Sequence, residues 1–321
     1  MNIGTIGTGQ IVSKIIDNIQ KTGHLRCTAV YSRSEEKGWA LADAFGIGKV
    51  YTQLEALMAD EDIDVIYIAS PNSLHYSQAK MALEHGKHVI CEKPMTPSYA
   101  QAKELFELAG EKGLLFFEAV TIGHAPNFAL VREHLPDIGR VRLVLGSYSQ
   151  YSSRYDLLRE GQVTNVFDPA FCGGALMDIN YYNIYEFCAL FGRPQKVAYY
   201  PNRYENGIDT SGILVMVYPD FVCQCTGAKD TWGVNSVQIQ GEDGYIFVDG
   251  STNASGPVRV VTRQGERTYD AQPEGDQWYY EMQSLDQMLT GEDAAQQQAL
   301  MEASLDTAWV LEQARHTEER K

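Results

Sequence analysis

The chain has 321 residues, 26 Lys and Arg against 42 Asp and Glu for a net charge of −16, and 44% hydrophobic residues. That length suits two domains of roughly 100 to 200 residues each, and the composition excludes the disordered and fibrous classes. The negative balance repels phosphate backbones, which excludes nucleic acid as a partner, and no apolar run reaches the roughly 20 residues that span a bilayer.

Short apolar runs alternate with helical periodicity through residue 120, the pattern of a parallel sheet with crossover helices. Strands are predicted over 3–6, 27–31, 50–51, 65–69, 88–91 and 114–117. Ile11, Ile15, Ile16 and Ile19 recur at helical spacing after the first glycines. Thr52 with Glu55 and Ser98 with Gln101 read as capping boxes, and Gly86 closes a helix that begins near Ser73. Beyond residue 120 the pattern predicts a helix over 126–134, a strand over 141–149 and a helix over 174–191. Several strands of an antiparallel or mixed sheet follow over 196–261, then helices over 277–289 and 294–316. The expected architecture is α/β: residues 1–120 form a Rossmann-type, doubly wound parallel sheet that binds a dinucleotide. Residues 121–321 form an α+β domain on a large open, mostly antiparallel sheet that binds substrate and dimerises.

Met1-Asn2-Ile3-Gly4 enters the first strand without a charged and apolar leader, so a cytoplasmic location is expected. The scattered cysteines, with Cys223 and Cys225 sharing one face of a strand, read as reduced structural thiols with no metal site.

The first strand ends in GTGQIV. Gly7 suits the tight turn, Gly9 admits a pyrophosphate close to the backbone, and the helix opening at Gln10 and Ile11 offers donors and a positive dipole end. Val12 takes the third glycine position, which governs helix packing. Some 20 residues on, an NAD site places an acidic residue on the ribose; here the chain reads Tyr31-Ser32-Arg33-Ser34. A guanidinium and hydroxyls suit a 2′-phosphate, so NADP(H) is favoured and NAD(H) is the alternative, while Ser34 also reads as a helix cap.

Ligands of an open α/β sheet bind beyond the carboxyl ends of its strands. ASPNSLH, with Ser70, Pro71, Asn72 and His75, and CEKP, with Glu92 and Lys93, follow the fourth and fifth strands. Pro94 biases Lys93 away from helical geometry and so aims its ammonium.

The run SPNSLHYSQAKMALEHGKHVICEKP, followed downstream by CGGALMDINYY, resembles the Gfo/Idh/MocA family of oxidoreductases, named for glucose-fructose oxidoreductase, inositol dehydrogenase and a rhizopine-catabolism protein. The resemblance extends over essentially the whole chain. It departs from the family pattern where Cys172 replaces the first glycine of a triplet and where Asn180 replaces the glycine after the Asp; Tyr182 stands where inositol dehydrogenases carry His and where members acting on sugars and dihydrodiols also use Tyr. It implies that Lys93, Asp178 and Tyr182 carry the reaction. Asp178 and Tyr182, four apart, share a helix face. A phenol beside an ammonium ionises more readily, so Tyr182 is expected to exchange the hydroxyl proton while Lys93 stabilises charge on the same oxygen and Asp178 orients Lys93 or a substrate hydroxyl. Asn72 and His75 resemble residues near the nicotinamide. Glu118 and His124, in the domain crossover, and Arg154 and Tyr155, in YSSRYD, are candidates to meet the substrate.

The implied activity is hydride exchange between a nicotinamide cofactor and a sugar, polyol, dihydrodiol or related small carbonyl compound, by a homo-oligomer that is a dimer or a dimer of dimers. The alternative is a catalytically silent, NAD(P)-binding regulator of the same fold.

Overall fold

Short aliphatic runs form six strands: β1 (Asn2–Ile6), β2 (Arg26–Tyr31), β3 (Lys49–Tyr51), β4 (Val65–Ile68), β5 (His88–Glu92) and β6 (Phe116–Ala119). The computed structural model describes residues 1–272, 276–291 and 293–318. The strands pair in parallel in the order β3-β2-β1-β4-β5-β6. Between them run α1 (Gln10–Ile19), α2 (Glu35–Phe45), α3 (Leu54–Met58), α4 (Asn72–Glu84) and α5 (Tyr99–Glu111). Strand β4 is buried at every position, as a parallel strand covered on both faces requires. The strand order reverses between β1 and β4, so a crevice opens beyond their carboxyl ends.

The last strand lies later than its apolar run suggests. Leu114 and Leu115 belong to the turn after α5, where the Leu114 amide bonds Ala109 and the Leu115 amide bonds the His88 ring. Glu118 therefore lies within β6, opposite Cys91. The turn before α3 also differs: the helix starts at Leu54 with Gln53 at its cap position, one residue beyond Thr52.

The second unit opens with a 3-10 turn (Thr121–His124) and α6 (Pro126–His134), then β7 (Val141–Ser149) and α7 (Ser153–Arg159). A π-helical turn (Leu176–Asn180) runs into α8 (Tyr181–Phe191). Seven more strands follow: β8 (Lys196–Arg203), β9 (Asp209–Val217), β10 (Val222–Ala228), β11 (Ser236–Gly241), β12 (Gly244–Asp249), β13 (Val258–Thr262) and β14 (Gly265–Tyr269). With β7 they form an eight-stranded sheet in the order β14-β13-β12-β11-β7-β10-β9-β8, antiparallel except for the β7 and β10 pair. The chain closes with α9 (Gln277–Leu289) and α10 (Ala294–Glu318).

The two units are Met1–Ala119 with Trp278–Met301, and Val120–Gln277 with the chain from Glu302. The first change of unit falls where the rhythm of the sequence changes. The return of α9 to the first unit was not expected from sequence; Met282, Leu285, Met288 and Leu289 are buried in the same core as Ile15, Ile19, Leu25 and Ile90. Burying four such side chains stabilises that core by roughly 6 to 12 kcal/mol before entropy is counted. All six cysteines are free thiols. Among the described residues no helix is long and apolar enough to cross a membrane.

Candidate active site

In the first unit the chain turns sharply after β1. Gly7 has φ +120°, and a Cβ there would lie 2.7 Å from the Ala69 carbonyl oxygen, so only glycine fits between β1 and β4. Gly9 then precedes α1 as a cap without a side chain, Gln10 is exposed, Ile11 is half-buried and no acidic residue stands in the first turn. The positive helix end thus faces an anion-compatible opening. Val12 is fully buried with Ile16 and Val30, so the third position of the glycine motif serves the core.

A cavity of about 320 Å³ extends from this turn along the ends of β2 and β4. Gly7, Ser32, Arg33, Ser34, Ser70 and Pro71 line it, together with Lys37, which sequence reading missed. Lys37 stands in the first turn of α2, four residues beyond Arg33, which precedes the Ser34 cap. Ser34 Oγ accepts from the Lys37 amide at 3.3 Å, so the serine caps α2 as well as lining the cavity. The glycine turn, the open helix end and these cations fit the pyrophosphate and adenosine end of a dinucleotide.

The Lys93 loop follows β5, and its Lys93-Pro94 bond is cis. Lys93 and Glu92 are half-buried, whereas Pro94 and Met95 are buried. Two braces hold the loop. The Glu118 carboxylate accepts from the Met95 amide at 2.8 Å, and His75 Nδ1 lies 2.9 Å from the Pro94 carbonyl. His75 Nε2 lies 2.8 Å from the Ser70 carbonyl, so this ring ties together the chain ends beyond β4 and β5. Burial lowers the His75 pKa and outweighs the two carbonyls, which favour the imidazolium. Asn72 opens α4 within the same crevice. Beneath Glu92, the Tyr67 hydroxyl donates to its Oε1 at 2.7 Å. Burial raises the Tyr67 hydroxyl well above its ordinary value, with the Glu92 and Glu281 charges adding to it.

In the second unit the glycine-rich motif prepares a helix start. A Cβ on Gly174, at φ +102°, would lie 1.9 Å from Asp209 Oδ1. The absence of one lets the Asp209 carboxylate accept from the Leu176 amide and the Tyr199 hydroxyl, each at 2.7 Å. Cys172, in the slot where the family has glycine, holds φ +53°. Asn180, the second departure, is fully buried and donates to the Cys225 carbonyl at 3.2 Å, tying the π-turn to β10.

From Leu176 to Asn183 every side chain is buried except Asp178 and Tyr182, which are half-exposed. These two therefore share the open face of the π-turn and α8. Tyr182 packs against Tyr148, with ring centroids 6.0 Å apart. Asp178 bonds the ammonium of Lys229, a buried residue just past β10 that sequence reading also missed. Asp178 had been expected to orient Lys93 or a substrate hydroxyl; this ion pair is an addition to that expectation.

The remaining candidates divide. Arg154 is exposed at the start of α7, while Tyr155 packs against Phe167 and Tyr204 in a local cluster. His124 is buried, and burial lowers its pKa to about 3, so its ring is neutral near pH 7.

Residues 1–120 match the family model described as "Oxidoreductase family, NAD-binding Rossmann fold", and residues 131–247 match the Gfo/Idh/MocA C-terminal domain. The scyllo-inositol 2-dehydrogenase (NADP(+)) IolU of Bacillus subtilis is 34% identical over 97% of this chain and 94% of its own. A D-xylose 1-dehydrogenase (NADP(+)) of Haloferax volcanii is 32% identical over 84% of this chain and 80% of its own. The crystal structure of KijD10, a 3-ketoreductase from Actinomadura kijaniata in complex with NADP and TDP-benzene, superposes with a TM-score of 0.86 at 22% identity, covering 99% of this chain and 97% of that one. The chain belongs to the Gfo/Idh/MocA family of NAD(P)-dependent oxidoreductases.

Proposed function

We propose that the protein interconverts a polyol or sugar hydroxyl and the corresponding carbonyl, with NADP(H) as the favoured cofactor. The observation that carries this reading is the pair Asp178 and Tyr182, half-exposed on an otherwise buried helical run, in a chain that also holds Lys93 at a strand end of its dinucleotide unit. A bound nicotinamide supplies the carbon that gives or takes the hydride. Tyr182 takes the hydroxyl proton during oxidation and returns it during reduction. Lys93 hydrogen-bonds the same oxygen and stabilises its negative charge, on a loop held by Glu118 and His75. Asp178 receives a neighbouring hydroxyl of the substrate. Glu92 and Asn72 face the nicotinamide end, and Arg154 is the exposed candidate for the outer part of the substrate.

Arg33, Lys37, Ser32 and Ser34 at one cavity support the 2′-phosphate, and two relatives carry NADP(+) in their names. The same relatives, acting on scyllo-inositol and D-xylose, support a polyhydroxylated substrate. The test is reduction of NADP+ by scyllo-inositol and D-xylose, with Lys93→Met and Tyr182→Phe alongside. Loss of more than about 100-fold in kcat/KM in each variant is expected, and turnover within twofold of the wild type defeats the assignment.

We also infer a homodimer in the cytoplasm. Tyr200, Ile213 and Val222 expose apolar surface on the adjacent strands β8, β9 and β10, with Tyr200 and Ile213 directly paired. Free thiols, including Cys223 and Cys225 with sulfurs 4.0 Å apart, suit a reducing compartment. Light scattering that gives a monomer at micromolar concentration removes the dimer.

A further inference from the structure

Gln78 has no part in the cofactor site as described, yet it lines the same cavity from α4 and is only 8% exposed. A buried side-chain amide is costly unless both of its ends are bonded. One end is bonded: the Ser70 hydroxyl donates to Gln78 Oε1 at 2.7 Å, and the Ser70 carbonyl lies 2.8 Å from His75 Nε2, so the serine is itself held. The other end is not. Among the described residues Gln78 Nε2 meets no acceptor, and it is not one of the side-chain atoms sealed from solvent, so its N–H groups open on the cavity. Leu74 stands four residues earlier on α4, a spacing that puts both side chains on one helix face. It is 38% exposed and lines the cavity beside Pro71, so this wall is apolar where the wall of Arg33 and Lys37 is charged. A flat heteroaromatic base suits the apolar wall, with its face on Leu74 and Pro71 and its edge on the amide.

We infer that Gln78 reads the base of the dinucleotide: Nε2 donates to a ring nitrogen of adenine, and the second lone pair of Oε1 accepts from the exocyclic amine beside it. The inference rests on the dinucleotide reading of this cavity and deepens it, from recognition of phosphate to recognition of adenine. In a hypoxanthine dinucleotide a carbonyl replaces that amine, so Oε1 faces an acceptor and the pair of bonds is lost. A site that hydrogen-bonds a group of its ligand rejects the analogue lacking that group, because its own buried polar atoms are then left unpaired.

The experiment measures binding to the full chain, by fluorescence of the reduced nicotinamide, of NADPH and of its analogue with hypoxanthine in place of adenine. NADH and its hypoxanthine analogue are run in parallel, so that the ratio is read on whichever cofactor binds. The wild type is expected to bind the adenine form about tenfold more tightly. Gln78→Met, close in volume and without the amide, is expected to lose about tenfold in affinity for the adenine form and to bind both forms within twofold of each other. A purely structural role for Gln78 weakens both forms alike and keeps their ratio. Wild-type affinities within twofold of each other overturn the inference, as does a tenfold ratio that persists in Gln78→Met. If Gln78→Met does not fold, Gln78→Asn decides: withdrawing the amide by one methylene is expected to narrow the ratio below threefold, and an unchanged ratio overturns the inference. Binding of neither NADPH nor NADH removes the dinucleotide reading and this inference with it, whereas tight binding without discrimination sinks the base reading alone.

Discussion

Removing Arg33 and Lys37 separates the two cofactors. Both side chains are exposed at the rim of the cavity that also holds Ser32 and Ser34. A hydrogen bond to a charged partner contributes about 1.5 to 3 kcal/mol, and solvent screening at so exposed a place reduces this to about 1 kcal/mol each. At 1.4 kcal/mol per decade, Arg33→Ala or Lys37→Ala raises the KM for NADP+ about fivefold, and the double variant raises it up to about 25-fold. Because NAD+ carries a free hydroxyl where NADP+ carries the phosphate, its KM moves less than about threefold. The assay is initial-rate kinetics with either cofactor varied at saturating polyol, in moderate salt. A parallel rise in both KM values, or no rise for NADP+, refutes the placement of the 2′-phosphate at this cavity.

Other expectations follow from the second unit. Gly174→Ala drives a methyl into Asp209 and breaks its bonds to Leu176 and Tyr199; a loss of about 3 to 5 kcal/mol in denaturant unfolding is expected, and near-neutral stability contradicts it. Cys172→Gly relieves a left-handed conformation and gains about 0.5 to 1 kcal/mol net of backbone entropy; a loss of stability by thermal melt speaks against this. Glu186 is buried and its pKa is raised by desolvation from 4.5 to about 8. Its carboxyl stays protonated in the fold while the unfolded chain ionises. Stability on its account is therefore complete below pH 4.5 and declines as pH rises to about 8. The advantage of Glu186→Gln over the wild type grows by about 1.4 kcal/mol per pH unit across pH 5 to 8; a constant difference rejects it.

What could be read from the sequence was mainly local. The helix Pro126–His134 and the strand Val141–Ser149 occur where periodicity places them, because a proline start and alternating burial are written in neighbouring residues. Gly7 was legible because the tight turn after β1 demands it. The ion pair of Lys229 with Asp178 joins residues 51 apart across a helix and a sheet, and no spacing rule reports it. The burial of Glu118 follows from β6 beginning at Phe116, two residues later than its apolar run suggests. Tyr155 packs against Phe167 and Tyr204, partners distant in sequence whose placement no local spacing reports. The resemblance supplied Asp178 and Tyr182. The structure explains their exposure, since the π-turn and α8 bury every neighbour from Leu176 to Asn183.

The measurement that bears most directly on the account is transfer of deuterium from carbon-deuterated scyllo-inositol or D-xylose to NADP+, followed by mass spectrometry of the reduced cofactor. Direct transfer to the nicotinamide is predicted for the wild type, falling more than about 100-fold in Tyr182→Phe and Lys93→Met while NADPH still binds. Undiminished transfer in either variant, or no transfer from either substrate by a protein that binds NADPH, contradicts it.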